Sequence, residues 1–218
     1  MNNEPSLCEK KCNCDEKFHD TRLIVVTGGP GAGKTAVLEM AKKVLCEHIA
    51  VLPEAASVVF GGGFWRLPST SAKKAAQRAI YHVQNELEFL TLNEKKWAMG
   101  LCDRGTLDGF AYWPEDEAQF WQEMKTTEAQ ELKRYLAVIH LRTPSEKSGY
   151  NHQNPLRIET AHQALQIDQK ISNAWKNHPH YHVIESTDNF LAKAGKAMDI
   201  ISKYLPECCQ KSLRIPYE

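Results

Sequence analysis

The stretch Gly28-Gly29-Pro30-Gly31-Ala32-Gly33-Lys34-Thr35 decides the fold of this chain, because it fits the phosphate-loop pattern G-x-x-x-x-G-K-[ST] in full. An apolar run that predicts a strand precedes it, and a helical pattern follows it directly. The glycines let successive backbone N–H groups point at phosphate oxygens, and the helix N-terminus adds its positive dipole end. We therefore expect residues Gly28 to Ala36 to bind the phosphates of ATP or a close relative.

A phosphate loop of this kind needs Mg²⁺ and a carboxylate that holds the metal's waters. Lys34 is expected to reach the β- and γ-phosphates, and the Thr35 hydroxyl to ligate the metal. Asp103 ends the apolar run 98–102, which predicts its place at the carboxyl edge of a strand, where ligands bind in open α/β sheets. Glu54 ends the preceding strand in the same way. The alternative interpretation of Asp103 is a helix cap or a surface turn, and that of Glu54 is an ordinary loop glutamate.

Short apolar runs alternate with longer helical patterns from Thr21 onward, which is typical of a parallel sheet covered by helices. The pattern predicts an α/β fold of the P-loop NTPase kind, a three-layer sandwich with a five-stranded, mainly parallel sheet and helices on both faces. The predicted strands are Leu23 to Thr27, Ile49 to Leu52, Ala98 to Asp103, Leu136 to Leu141 and Tyr181 to Ile184.

Four helices are predicted from periodicity and capping signals. They run from Gly33 to about Cys46, from about Ser71 to Trp97, from Asn154-Pro155 onward, and from Ser186 or Thr187 onward. The second carries an apolar line and, beside it, a polar stripe at helical spacing. The apolar line is Ile80, Val83, Leu87 and Leu90, and the polar stripe is Gln77, Tyr81, Gln84 and Glu88.

The polar, aperiodic residues 1–20 predict a poorly ordered leader, and residues 21–218 a single domain. Two predicted loops, 53–70 and 143–154, are longer than a compact α/β unit needs, which makes them candidates for function. The second is a possible lid. The first contains three glycines, 61–63, followed by Phe64 and Trp65, either a hinge leading into two large rings or a plain connection.

Composition excludes several classes of function. The 218 residues hold 27 basic and 27 acidic side chains, so no whole-molecule field draws the chain to nucleic acid or to an anionic membrane. No apolar stretch approaches a membrane span, and the N-terminus lacks the apolar centre of a secretory signal. We expect a cytoplasmic protein with a small-molecule substrate, no nucleic-acid partner and no membrane partner; the oligomeric state stays open.

Cysteines and histidines raise the question of a metal site. Among seven cysteines, a cluster lies near the N-terminus and a pair near the other end: Cys8, Cys12, Cys14, Cys208 and Cys209. Zinc requires four ligands, and only His19 accompanies the N-terminal three, so solvated thiols are the favoured interpretation. The run His178, His180 and His182 lacks carboxylate or cysteine support and predicts a solvated turn before an edge strand.

Six segments, in this order and spacing, resemble the AAA-like P-loop ATPase/kinase family that includes the ribosylnicotinamide kinase domain. They are GGPGAGKT, PEAA at the second strand end, QRAIYHVQNELE, CDRGTLDGFAY, HLRTP and NPLRIETAHQALQID. The resemblance covers about Arg22 to Ile184. It implies the P-loop fold more firmly than it implies a reaction, because only the phosphate loop is specific by itself.

A looser similarity to deoxynucleoside kinases and thymidylate kinase implies roles on the acceptor side. It implies that Glu54 is the base for the accepting hydroxyl, that Gln84 reads the substrate base, and that Asp103-Arg104 is the acidic-Arg pair of the third strand. The chain departs from those kinases in having Pro53-Glu54 where they have Glu-Pro, and Gly105 where they usually have Ser or Tyr, so substrate identity does not carry over. The expected substrate-binding set is Glu54, Trp65, Gln77, Tyr81, Gln84 and Arg104.

Arg142 and Arg157 bracket the second long loop. A cation in the first turn of a helix opposes the dipole, which makes a functional Arg157 plausible unless Glu159 pairs with it. In kinases of this architecture, lid arginines neutralise charge on the transferring phosphoryl group. The expected catalytic set is Lys34, Glu54, Asp103, Arg104, Arg142 and Arg157.

These features favour an ATP- and Mg²⁺-dependent phosphotransferase acting on a small hydroxylated substrate such as a nucleoside or nucleotide. The alternative is a P-loop NTPase switch or regulatory module whose target is a protein partner. A third possibility is a nucleotide-binding domain without turnover.

Overall fold

A computed structural model describes residues 18–144, 160–187 and 189–210 of the chain. The predicted leader up to residue 17, most of the possible lid, the helix start at Asn154-Pro155, and Arg157 lie outside the described residues. Cys8, Cys12 and Cys14 lie outside them as well. Within the described residues, no helix is both long and apolar enough to cross a membrane.

Five parallel strands form one sheet in the order β2-β3-β1-β4-β5. They are β1 Arg22–Thr27, β2 Ile49–Leu52, β3 Met99–Asp103, β4 Ala137–Leu141 and β5 Tyr181–Ile184. The strands predicted from the apolar runs are confirmed to within one residue at each end. Because all the strands are parallel, their carboxyl ends share one edge, and β1 lies at the centre with the phosphate loop at its end.

Helices cover both faces of the sheet, which confirms the three-layer fold. They are α1 Lys34–Val44, α2 Ala55–Gly61, α3 Thr70–Glu94, α4 Glu117–Met124, α5 Glu128–Leu132, α6 Ala161–Trp175, α7 Phe190–Tyr204 and α8 Glu207–Gln210, with a 3₁₀ helix at Thr106–Tyr112. Alternate residues of β1 enter different cores, as the pleat of a strand requires. Ile24 and Val26 pack with α1 and α7, whereas Leu23 and Val25 pack with α6 and the 3₁₀ helix.

The segment 53–70 is not the long loop that the sequence predicts. Residues Ala55–Gly61 form α2, and Ser69 caps α3 by accepting a hydrogen bond from the Ala72 N–H. The Arg66 guanidinium lies 4.0 Å from the centre of the Phe60 ring, which orders the turn between the two helices. In place of the long predicted loop, only a short connection lies between α2 and α3.

The long helix α3 buries its polar stripe. Gln84 and Glu88 are buried, whereas Leu90, from the apolar line, is 54% exposed. Burial of Glu88 is tolerated because its carboxylate accepts hydrogen bonds from Arg134 at 2.5 Å, from Tyr135 at 2.7 Å and from Gln84 at 2.8 Å. On this buried face of α3, hydrogen-bonded polar side chains lie where apolar side chains were predicted.

Side-chain caps set the first residues of the last two long helices. Thr160 is extended and caps α6, which begins at Ala161, and its partner in a capping box is Gln163. Asn189 caps α7 by accepting a hydrogen bond from the Ala192 N–H, so α7 begins at Phe190, later than the predicted Ser186 or Thr187.

Candidate active site

The phosphate loop joins the end of β1 to the start of α1. Gly28, Gly31 and Gly33 have φ values of 139°, 80° and 95°, a region that favours glycine. A Cβ at Gly28 would lie 2.1 Å from the Leu141 carbonyl oxygen, and one at Gly33 would lie 2.7 Å from the Phe190 ring. Side chains are thus excluded on both sides of the loop, and its backbone is left to line the concave face.

Lys34 folds back over this loop. Its ammonium donates hydrogen bonds to the Gly28 carbonyl at 2.9 Å and to the Gly29 carbonyl at 3.2 Å, and the residue is 8% exposed. Burial, and then the positive charge of Arg104, lower the pKa of Lys34 to about 8. An anion at the loop would restore the stability of the charged form. Thr35 and Ala36 follow in the first turn of α1 and are exposed.

Asp103 occupies the end of β3, beside Val26 of β1. Its Oδ1 is buried and accepts no hydrogen bond from any residue that the structure describes. Burial raises the pKa of Asp103, an effect that the nearby charge of Lys34 opposes. A buried carboxylate oxygen without a partner requires an explanation, and a hydrated cation would satisfy it. The donor set of Thr35 and Asp103, both oxygen ligands, suits Mg²⁺.

Arg104 connects two strand ends with the phosphate loop. Its φ of 73° is unusual for a residue with a side chain, and such conformations concentrate at functional sites. The guanidinium donates hydrogen bonds to Glu54 at 2.9 Å, to the Gly28 carbonyl at 3.2 Å and to Asp108 at 3.1 Å. A single cation therefore fixes the relative positions of Glu54 and the loop.

Glu54 directly follows β2 and keeps its charge. Its Oε1 accepts from Arg104, and its Oε2 accepts from the Ser57 hydroxyl at 2.5 Å. Although burial favours the neutral acid, Arg104 and Ser57 lower the pKa of Glu54. Glu54 is thus an oriented carboxylate at the same edge of the sheet as Asp103.

Two buried aspartates complete the site, and sequence reasoning missed both. Asp108 is 2% exposed and accepts hydrogen bonds from Thr27, Arg104, the Gly105 N–H and the Trp175 indole. No pattern in the sequence indicates this role, because the 3₁₀ helix that carries Asp108 has no periodic signal.

The second missed aspartate, Asp168, holds the far side of the phosphate loop. It accepts from the Gly29 N–H at 2.8 Å and from Arg142 at 3.0 Å, and its Oδ1 lies 2.9 Å from the His140 Nε2. Burial opposes ionisation, but the His140 contact and these hydrogen bonds lower the pKa of Asp168. A signal existed, since Asp168 lies at helical spacing within the buried stripe Ala161, Ala164, Ile171 and Trp175.

Lys193 of α7 was also missed. Its ammonium donates hydrogen bonds to the Ala32 carbonyl of the loop at 2.9 Å and to the Arg142 carbonyl at 2.5 Å. Burial lowers its pKa to about 8. The predicted Arg142 is therefore held at both its side chain and its backbone.

The residues expected to contact the acceptor have neighbours other than Glu54 and Asp103. Tyr81 donates a hydrogen bond to Glu131 at 2.7 Å, and Gln84 donates to Glu88 at 2.8 Å. Trp65 is 76% exposed, and Gln77 lies against Gly109 of the 3₁₀ helix. Among the described residues, no hydrogen bond joins any of these four to Glu54 or Asp103. The structure thus brings together Lys34, Glu54, Asp103 and Arg104, with Arg142 adjacent through Asp168.

Comparison with known proteins gives a family and a fold. A family model of an AAA domain matches residues 23–190. Thymidylate kinase from Candida albicans is similar over 84% of this chain and 92% of that chain, with 13% identity and a TM-score of 0.57. Thymidylate kinase from Ehrlichia chaffeensis is similar over 83% and 98%, with 13% identity and a TM-score of 0.54. No curated protein matches this chain. At this identity the two structures establish a shared fold.

Proposed function

This chain belongs to the AAA domain family, and on that premise we propose that it is an Mg²⁺-dependent phosphotransferase that transfers the γ-phosphoryl group of ATP to a small hydroxylated acceptor, a nucleoside or nucleotide. The observation that carries the proposal is the meeting of two carboxylates, Glu54 and Asp103, from neighbouring strand ends beside the buried Lys34. The charge of each carboxylate acts on the pKa of Lys34. Phosphoryl transfer requires this combination of a cation, a metal-holding carboxylate and a base.

Each residue has a proposed part in the reaction. The backbone N–H groups of the phosphate loop, from Gly28 to Ala36, hold the phosphates, and Lys34 neutralises their charge. Thr35 and Asp103 would hold Mg²⁺, which when bound supplies charge neutralisation at the phosphate oxygens. Glu54 accepts the proton of the acceptor hydroxyl as that oxygen forms its bond to phosphorus and the bond to the leaving ADP oxygen breaks.

Arginines act around this centre. Arg104 orients Glu54 through its hydrogen bond and offsets negative charge near the loop. Arg142, held against Asp168, and Arg157 are proposed to neutralise charge on the transferring group. For the acceptor we propose contacts with Trp65, Gln77, Tyr81 and Gln84. The amides of the two glutamines can both donate and accept hydrogen bonds toward an amide-like edge of the substrate. A single domain over residues 21–218 and a cytoplasmic location stay predictions.

An acceptor screen tests the proposal. Labelled ATP is offered with nucleosides, nicotinamide riboside or nucleoside monophosphates, and we expect one acceptor to outcompete water. Glu54→Gln should then lower turnover steeply, by about 10²- to 10⁴-fold, because it removes the base. Gln84→Ala should instead relax the choice among acceptors. Glu86→Gln, an exposed position on α3, is the matched control.

The competing function gives a different result in the same experiment. If no acceptor outcompetes water, and if Glu54→Gln leaves ATP hydrolysis unchanged, the phosphotransferase proposal fails and an NTPase switch with a protein partner takes its place. Binding of Mg-ATP without any turnover would leave only a nucleotide-binding role.

A further inference from the structure

The turn after α1 and the short helix α8 bring three side chains of the metal-binding type together, at a distance from the site described above. Cys46, His48 and Cys209 each offer one ligand atom, and these atoms all lie within 4.8 Å of one another. Cys46 is 3% exposed and Cys209 is 1% exposed. Cys46 and Cys209 are far apart in the sequence, and no sequence pattern associates them with each other or with His48.

The imidazole of His48 has an unsatisfied nitrogen. Its Nδ1 is buried and has no hydrogen-bond partner among the residues that the structure describes. The backbone is fixed on either side, since the His48 carbonyl accepts from the Ala98 N–H at 2.8 Å and the Ile49 N–H donates to the Cys46 carbonyl at 3.1 Å. A buried ring nitrogen with a fixed backbone and no partner is a group that a metal ion would satisfy.

The composition of the cluster favours one metal. Two sulfur ligands with one imidazole suit zinc, which binds sulfur at about 2.3 Å and nitrogen at about 2.0 Å in a tetrahedral site. Those bond lengths place the ligand atoms about 3.5 to 3.8 Å apart, so the present spacing must contract by about 1.3 Å at most. The His19 ring packs against the His48 ring with centroids 4.6 Å apart, which makes His19 a candidate for a fourth ligand.

We propose that Cys46, His48 and Cys209 bind a zinc ion, with the two thiols releasing their protons to solvent on binding. The site lies at the edge of the sheet where β2 and β3 begin, opposite the edge that carries the phosphate loop. Both thiols are buried and His48 is half-buried, and an enclosed site of this kind is typical of a structural zinc. Its effect is to fasten α8 to the turn between α1 and β2.

Zinc content of the full chain, purified without chelator, is the first measurement. We expect about one zinc ion per chain in the wild type and background zinc in Cys46→Ser, His48→Ala and Cys209→Ser. Cys102→Ala removes a buried thiol outside the cluster and should keep its zinc. Equal zinc in all four variants, or equal loss from Cys102→Ala, would overturn the proposal.

The cysteines of the N-terminal segment need their own control. The triple variant Cys8→Ser, Cys12→Ser, Cys14→Ser removes thiols that also bind zinc in many proteins. Loss of zinc from this variant while Cys46→Ser and Cys209→Ser keep theirs would place the metal on the N-terminal cysteines and end the proposal. Loss from Cys46→Ser and Cys209→Ser supports it.

Two wild-type measurements do not depend on whether the variants fold. Cobalt added to the chelator-treated wild type should give the intense visible absorption of tetrahedral cobalt together with a thiolate-to-cobalt charge-transfer band. Chelator should also lower the thermal midpoint of the wild type. Absence of both the cobalt spectrum and the chelator effect would show that no such site forms.

Discussion

Asp103 is the residue whose surroundings are best suited to a cation. Its Oδ1 has no partner in the described part of the chain, although Lys34, Glu54 and Arg104 all influence its pKa. The position of Asp103 was predictable from sequence, because a polar residue that ends a buried apolar run must emerge at the sheet edge. The carboxylate oxygen without a partner was not, because it depends on how Arg104 is shared between Glu54 and Asp108.

Replacing Asp103 by Asn should therefore affect metal dependence more than nucleotide binding. In the proposed site, the amide would keep the shape of the carboxylate but lose the charge proposed to hold metal-bound water, while the loop backbone would still bind phosphate. Activity is measured across a Mg²⁺ titration, with nucleotide affinity measured by calorimetry. Asp199→Asn, exposed on α7, is the control. An unchanged Mg²⁺ optimum in Asp103→Asn would assign the metal elsewhere, Glu54 being the next candidate.

Lys34 should couple nucleotide binding to proton uptake. Because burial lowers its pKa to about 8, Lys34 is partly neutral at and above pH 8, and a bound phosphate must recharge it. We therefore expect nucleotide affinity to fall as the pH rises through about 8. Calorimetric titration at that pH, in two buffers of different ionisation enthalpy, should show proton uptake that persists in Lys43→Ala, an exposed position on α1. Buffer-independent heats in the wild type would contradict this assignment.

At the scale of elements, apolar runs predicted strands far better than helix faces. A strand in a parallel sheet is buried on both sides, so its apolar run is continuous and unambiguous. A helix face is ambiguous when a polar stripe has partners elsewhere in the chain. Glu88 is buried because Arg134 and Tyr135, 46 and 47 residues away, satisfy it, and no local pattern contains that information.

Burial of the polar stripe of α3 predicts how two substitutions on this helix change the stability of the fold. Glu88→Ala leaves Arg134 and Tyr135 without their shared carboxylate, so we expect a loss of about 3 to 5 kcal/mol in the free energy of unfolding. Leu90→Ala, from the apolar line that the sequence favoured, is largely exposed and should cost at most about 0.5 kcal/mol. Urea unfolding of both variants provides the comparison. The reverse ranking would restore the apolar line as the buried face.

The segment between β3 and β4 has the weakest secondary-structure signal in its sequence. The 3₁₀ helix and the short helices α4 and α5 were all missed, because each is too short to show an apolar period. Their caps were visible: Asp116 and Thr127 each accept a hydrogen bond from a backbone N–H three residues later. The sequence signal of such short helices therefore lies in their caps and not in an apolar period.

For the whole molecule, the site depends on contacts between distant parts of the chain. Asp168 reaches the Gly29 N–H across 139 residues, and Lys193 reaches the Ala32 carbonyl across 161. Although the formal net charge of the chain is zero, several buried charged side chains lie around this one loop. Sequence reasoning predicted the motif residues, whose roles are local, but not these supports, whose partners are set only by the assembled fold.

Lys193 tests whether this long-range support matters for binding. One ammonium ties the last long helix to the phosphate loop and to Arg142 at the end of β4. Lys193→Met keeps most of the side-chain volume but leaves the Ala32 and Arg142 carbonyls without this donor, at a cost of about 1 to 3 kcal/mol in the free energy of unfolding. Because the Ala32 carbonyl belongs to the loop itself, nucleotide affinity should fall as well.

The measurement is thermal unfolding of Lys193→Met with and without saturating Mg-ATP. A ligand that binds only the folded state stabilises it by about 2.7 kcal/mol at a hundred times its dissociation constant, so weaker binding shows as a smaller shift of the thermal midpoint. Lys196→Met, exposed on the same helix, controls for the loss of a charge. If Lys193→Met is destabilised but Mg-ATP still shifts its thermal midpoint as much as that of the wild type, Lys193 stabilises the fold without affecting nucleotide binding. The loop would then keep its shape without Lys193.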